Sequence, residues 1–235
     1  MDQPSHSHNR LLASLSAFDS ERLRPHLRPM KLQQGTVLSE VRDEIDCVYF
    51  PHTGVVSLVV TLGSGETIET GMIGRDSLLG GSSALHSTLS LTRSIVQIAG
   101  TASVIGSEHL KSLASASTSF RTRLIQHEQL MLVQAQQSAA CNIIHTVEAR
   151  LARWLLRCRD LMDSDDLALT QEVIGQMLGV RRSSVSITAG TLQEAGLIRY
   201  SRGHIRIVDV DGLRSAACEC YETVRSQSER LLGAV

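Results

Sequence analysis

The chain has 235 residues, room for two modest domains rather than two large ones. Hydrophobic residues make up 42% of it and aromatics only 3%, which allows real cores but makes them aliphatic. At a net charge of −1 the chain is not basic overall, so contact with a polyanion would have to come from charge gathered on one face.

The first six residues, Met1-Asp2-Gln3-Pro4-Ser5-His6, lack the basic-then-apolar order of a signal peptide, and no run of 18 apolar residues follows. A cytoplasmic location without membrane contact is expected. Residues 1–30 read as an exposed arm, carrying His6 and His8, and a short helix on Leu11, Leu12, Leu15 and Phe18. A metal role for the two histidines is not expected.

From Lys31 to about Val104 short apolar runs alternate with glycines. Cys47-Val48-Tyr49-Phe50, Val55–Val60 and Ser94–Ile98 have strand composition, and Pro51-His52-Thr53-Gly54 and Leu62-Gly63-Ser64-Gly65 read as turns. An antiparallel sandwich or barrel is predicted. Beyond Gly106 neither proline nor glycine interrupts the chain until about Asn142, which predicts one long helix. Phe120, Leu124, Met131 and Ala135, with His127 among them, recur at helical spacing. That stripe is the expected dimer seam, and packing on the β-half is the competing explanation.

A further helix is predicted from about Thr146 to Met162, with Leu151, Trp154, Leu155 and Cys158 inward and Arg150, Arg153, Arg157 and Arg159 largely outward. Residues 163–166 read as a polar turn.

The segment from Thr170 to Val208 carries the chemistry. Thr170 is an N-cap for a helix over Gln171–Leu178, Gly179 ends it, and a second helix runs from Arg182 to about Ala195 before Gly196. Two helices joined by a short glycine-containing turn define a helix-turn-helix. Arg181, Arg182, Ser183, Ser184 and Ser186 crowd the start of the second helix, where free N–H groups favour phosphate and arginine can fork onto guanine. Ile187 is expected to face outward, against a thymine methyl, or else beneath the wing. Leu197–Tyr200 and His204–Val208 alternate as two strands around Ser201-Arg202-Gly203, a hairpin with a basic tip. Five arginines from Gln171 to Val208 stand against Glu172 and Glu194. Such segregation marks a double-stranded DNA interface, with Thr170, Gln171, Arg202 and His204 completing the contact set. A final helix is expected after Asp211.

The five cysteines, Cys47, Cys141, Cys158, Cys218 and Cys220, are odd in number and contain no CxxC pair. No disulfide framework and no metal site are expected. If Cys218 and Cys220 shared a helix they would point about 200° apart, which disfavours joint ligation.

Nearly the whole length resembles the Crp/Fnr family of bacterial transcription regulators. The most specific stretch is Leu169-Thr170-Gln171-Glu172-Val173-Ile174-Gly175-Gln176-Met177-Leu178-Gly179-Val180-Arg181-Arg182-Ser183-Ser184-Val185, similar to the family's helix-turn-helix. Val48–Val56 is similar to a strand and turn of its β-roll. The resemblance implies an α+β chain: an N-terminal antiparallel β-roll (1–116), a long dimerisation helix (117–145), a winged helix-turn-helix (146–212) and a C-terminal helix (213–235).

The resemblance implies a homodimer on an inverted-repeat site, the β-roll biasing the two DNA-binding domains with or without a ligand. Ser183 replaces the family's recognition glutamate and Ile187 its later arginine, so the familiar half-sites are not expected. Arg93 and Ser94 match the family's cyclic-phosphate cassette, but Gly81 stands where its glutamate binds ribose. Gly80, Gly81, Ser82, Arg93 and Ser94 are the candidate effector residues. A cyclic nucleotide, another small ligand or none remains open, as does contact with RNA polymerase. The iron–sulfur mode is excluded, because residues 1–46 hold no cysteine. No cofactor and no enzyme activity are expected: there is no G-x-S-x-G elbow, P-loop, HExxH or GxGxxG. The competing class is a winged helix that binds protein instead of DNA.

Overall fold

A computed structural model describes residues 8–232; of the expected N-terminal arm, residues 1–7, His6 among them, lie outside it. The expected single N-terminal helix is two, α1 (Arg10–Ala13) and α2 (Ala17–Leu23), each opened by a side-chain cap from Asn9 or Ser16. Leu11 and Leu12 are buried, whereas Phe18 lies outside under the Arg22 guanidinium, 4.6 Å from its ring centre.

The β-half is antiparallel, as predicted. Strands β1 (Arg28–Leu32), β2 (Val37–Ser39), β3 (Cys47–Thr61), β4 (Thr67–Ile73) and β5 (Arg93–Gly106) form one sheet. Its order is β1-β5-β3-β4, with β2 also on β5. The turn at Leu62–Gly65 joins β3 to β4, closed by a 2.8 Å bond from the Leu62 N–H to the Glu66 carbonyl. Pro51–Gly54 is not a turn, for β3 runs straight through it. Glycine is needed there for close approach instead. Gly54 sits at φ +90°, a Cβ on it would come 2.8 Å from the Ile98 carbonyl oxygen, and Gly100 abuts Thr53 from β5.

Hydrophobic clusters fill this half. Val48, Phe50 and Leu78 pack with Leu110, Leu113, Phe120 and Leu124, while Leu32, Val56, Ile73, Val96 and Ala102 form another.

The long helix predicted after Gly106 is divided into α3 (Ser107–Ala116) and α4 (Thr118–Ile144). The breaker is Ser117. Its backbone is extended (φ −129°, ψ 111°), and its hydroxyl accepts the Phe120 N–H at 3.2 Å, capping α4. A serine competing for the backbone does what an absent proline or glycine would have done.

The expected dimer stripe on α4 is spent inside the chain. Phe120 and Leu124 are fully buried in the first cluster, and Met131 packs on the second. His127 is 2% exposed and accepts the Leu78 N–H on Nε2 at 3.3 Å. Ala135 is half-buried. A second stripe, Ile125, Gln129, Leu132, Gln136, Ala139 and Ile143, follows alternating steps of four and three and is exposed throughout. Both stripes have helical periodicity; the greasier one was needed for the core.

Contacts group the chain into two compact units. One comprises the residues up to Leu58, Met72–Leu132 and the end from Ser228; the other comprises Val59–Gly71 and Val133–Gln227. The second unit holds α5 (Val147–Met162), β6 (Asp166–Ala168), α6 (Gln171–Leu178), α7 (Arg182–Glu194), β7 (Ile198–Ser201), β8 (His204–Ile207), α8 (Val210–Ala216) and α9 (Cys220–Leu232). Helix α5 starts where expected, with Thr146 as its cap, and buries Leu151, Trp154, Leu155 and Cys158. Arg150 departs from expectation. It is 6% exposed and donates to the Leu178 carbonyl, tying α5 to the end of α6. In the same unit the Trp154 indole N–H donates to Glu69 at 2.8 Å.

The single expected C-terminal helix is two, α8 and α9. Against the expectation of no metal-binding arrangement, Cys141, Cys218 and Cys220 come together beside His145. The 200° argument fails because Cys218 is in the non-helical joint and only Cys220 is on α9.

Candidate nucleic-acid interface

The helix-turn-helix forms where the sequence placed it. The Thr170 hydroxyl caps α6 by accepting the Val173 N–H at 3.3 Å. At the other end Gly179 takes the left-handed conformation (φ +63°), and the Gly179 and Val180 N–H groups satisfy the last carbonyls of α6. The two helices touch at Gly175. A Cβ there would lie 2.9 Å from the Val180 carbonyl oxygen, so any larger residue would push the turn away. Val185, Ala189 and Leu192 bury the inner face of α7.

That burial fixes what α7 presents. Arg181, Arg182, Ser183 and Ser186 are exposed and Ser184 is half-buried. Arg181 occupies the N-cap position without a side-chain cap; its carbonyl accepts the Ser184 N–H at 2.9 Å, which leaves the Arg182 and Ser183 N–H groups at the helix start for a ligand. Gln171 is held beside this turn, its side-chain oxygen accepting the Ser186 hydroxyl at 3.2 Å. Ile187 is 73% exposed, which removes the alternative that it packs beneath the wing.

The wing is a two-residue hairpin. Ser201 pairs with His204 across Arg202 and Gly203, both at positive φ (45° and 83°), the geometry that matches strand twist. Arg202 accepts a strained backbone there and is thereby displayed at the tip, exposed. His204 is exposed too, and a Cβ on Gly203 would touch the Thr170 methyl at 3.4 Å. Wing and α6 cap are therefore neighbours.

One element was missed. Residues 166–168 form β6, which pairs with β8 and makes the wing an edge of a three-stranded sheet, β6-β8-β7. Three residues are too few for a period-2 pattern, and the preceding acidic run disguised them. The strand changes the electrostatics. Arg206 makes a bidentate bond to Asp166, 2.7 Å to each oxygen. Hydrogen bonding to that guanidinium holds the Asp166 carboxyl below the ordinary carboxylate range. Arg206 is thus locally neutralised, and the unspent positive charge of the interface rests on Arg181, Arg182, Arg199 and Arg202.

The candidate effector residues each meet different neighbours. Gly80 caps and Gly81 begins a 3₁₀ turn over Gly81–Leu85. Leu78 and the Glu128 carboxylate fill the space a side chain at Gly81 would take. Ser82 is half-buried on that turn. Arg93 instead faces Glu40 at 3.3 Å, an ion pair without hydrogen-bond alignment. Ser94 is fully buried, its hydroxyl 2.6 Å from that of Ser39.

Comparison with known proteins agrees with this geometry. Residues 149–216 match the model of the Crp-like helix-turn-helix domain. The chain is similar in fold to FixK2 from Bradyrhizobium japonicum (TM-score 0.69, 18% identity, 82% of this chain and 98% of that one). It is also similar to a putative crp/fnr-family transcriptional regulator from Eubacterium rectale (TM-score 0.67, 17% identity, covering 89% and 98%). A third similar structure is the c-di-GMP-responsive global regulator CLP of Xanthomonas campestris (TM-score 0.63, 18% identity, covering 82% and 99%). No curated protein matches the chain in sequence.

The exposed start of α7 and the wing form the candidate nucleic-acid interface of this helix-turn-helix. The chain has the Crp/Fnr fold, with a Crp-like helix-turn-helix at residues 149–216. Among the described residues no helix is long and apolar enough to cross a membrane.

Proposed function

We propose that the protein regulates transcription as a homodimer on an inverted-repeat site, each copy laying α7 in a major groove with its wing on the flanking backbone. The observation that carries this reading is the start of α7. An uncapped helix N-terminus and four exposed or half-exposed residues, Arg181 to Ser184, stand on a helix whose opposite face is locked into the core. A rigid support of this kind is what base readout requires.

Arg182 and Ser183 read base edges, and Ile187 meets a thymine methyl. Arg181, Arg202, His204 and the Gln171–Ser186 pair hold the backbone. The dimer seam is the exposed stripe from Ile125 to Ile143. Its four-three spacing suits a two-stranded coiled coil, and glutamines among the apolar residues favour one register over mere greasiness.

A cyclic nucleotide finds little support, because the arginine expected on its phosphate is engaged with Glu40 and the slot at Gly81 is filled. A cytoplasmic location goes with a regulator that must reach the chromosome.

The test is binding to labelled duplex over graded salt. Affinity is expected to fall steeply as salt rises, with a slope of about −0.9 per phosphate contact. Arg182→Ala is expected to weaken binding and relax base preference together. No binding even at low salt, or an Arg182→Ala variant unchanged in both respects, overturns the assignment.

A further inference from the structure

Outside the DNA-facing surface, one cluster has no part in the function described so far. Cys141 lies in the last turn of α4 and His145 just beyond it, while Cys218 precedes α9 and Cys220 opens it. Their four ligand atoms all lie within 4.8 Å of one another. We propose that Cys141, His145, Cys218 and Cys220 bind a single zinc ion in a closed Cys3His site that pins the α8–α9 joint to the end of α4.

The spacing suits one metal ion. Zinc–sulfur bonds of about 2.3 Å in a tetrahedron place sulfurs about 3.8 Å apart, with sulfur to nitrogen slightly shorter. The Cys141 and Cys218 sulfurs are 3.5 Å apart, and the Cys220 sulfur is 3.5 Å from His145 Nδ1. An iron–sulfur cluster would put several irons and sulfides between its thiolates and would need them farther apart. Four ligands from two joints fill a tetrahedron and leave no open position, as in structural rather than catalytic zinc sites.

The surroundings point the same way independently. His145 turns Nδ1 toward the sulfurs, and its other ring nitrogen, Nε2, lies 3.2 Å from Glu219 Oε1. An imidazole that offers one nitrogen to the metal and gives the other N–H to a carboxylate is the usual outer support of a zinc ligand. Gln137 donates to the Cys220 sulfur at 3.0 Å, as a group supporting a thiolate would. Charge also balances. Three thiolates, a neutral imidazole and Zn2+ sum to one negative charge, and the buried guanidinium of Arg150 lies within electrostatic reach of Cys141 and Cys218. All three cysteines are buried, and the partly exposed imidazole leaves a path for entry.

A disulfide between Cys141 and Cys218 is the competing use of the same sulfurs. It would leave Cys220 and the His145–Glu219 pair without a role.

The test uses the full chain, purified without chelator or affinity histidines, with zinc measured by elemental analysis and exchanged for Co2+. One equivalent per chain is expected, with the ligand-field bands of a tetrahedral, thiolate-rich Co2+ complex. Cys141→Ser and Cys220→Ser should lose the metal, Cys158→Ser should keep it, and Glu219→Gln should weaken it about 10–100-fold. Should the serine variants fail to fold, the wild-type stoichiometry and Co2+ spectrum still decide. A folded chain that takes up neither metal, or one in which mass spectrometry finds Cys141 joined to Cys218, overturns the proposal.

Discussion

Two glycines in adjacent helices of the DNA-binding unit should respond oppositely to the same substitution. In a helix interior, glycine to alanine gains about 0.8–1 kcal/mol of propensity when the methyl meets nothing. At Gly190, in α7, no atom lies within 4 Å of the added Cβ. Gly190→Ala should therefore stabilise by about that amount. At Gly175, in α6, the new methyl would sit 2.9 Å from the Val180 carbonyl oxygen, which is backbone and part of the turn itself. Overpacking of this kind costs about 1–3 kcal/mol and outweighs the propensity gain, for a net loss of up to about 2 kcal/mol. The two alanines should therefore differ by the overpacking cost itself, about 1–3 kcal/mol.

Urea unfolding followed by fluorescence reads this unit alone, because the chain has a single tryptophan, Trp154, buried at 1% exposure in α5. If both alanines stabilise equally, α6 and α7 do not meet at Gly175 and the turn geometry described here is wrong.

Other outcomes follow from individual contacts. Leu132→Glu or Ile143→Glu should dissociate the proposed dimer in sedimentation while leaving the fold intact. Leu124→Ala should instead cost about 2–5 kcal/mol of stability, because its side chain is core. Glu69→Leu strands the buried Trp154 N–H, a loss of about 1–3 kcal/mol accompanied by shifted emission. Asp166→Asn should free Arg206 and steepen the salt dependence of DNA binding by up to about one unit of slope. In the wild type that pair should persist on acidification until Asp166 protonates, below the ordinary carboxylate range, since its folded-state affinity for protons is lowered.

The helix-turn-helix was the most legible part of the chain because its rules are local. A cap at Thr170, a left-handed glycine at Gly179 and four-residue spacing fix α6 and α7 to within a residue, and the basic tip at Arg202 marks the wing. What the sequence hid depends on partners distant along the chain. Two stripes on α4 have helical periodicity, and only the packed structure shows that Phe120 and Leu124 belong to the core and Leu132 to the surface. Arg150 was read as outward from its charge, yet the Leu178 carbonyl gives it a buried partner. Cys141 and Cys218 lie 77 positions apart, so no spacing rule brings them together. Breaks such as Ser117 come from a hydroxyl competing for the backbone, a weaker sign than proline or glycine.

The most direct test of the DNA-binding role is selection of bound sites from genomic fragments by the purified full-length protein. The expected result is an inverted repeat with half-site centres one helical turn, about 34 Å, apart, enriched by the wild type and lost with Arg182→Ala. Recovery of fragments with no shared sequence, equally by wild type and variant, would contradict it.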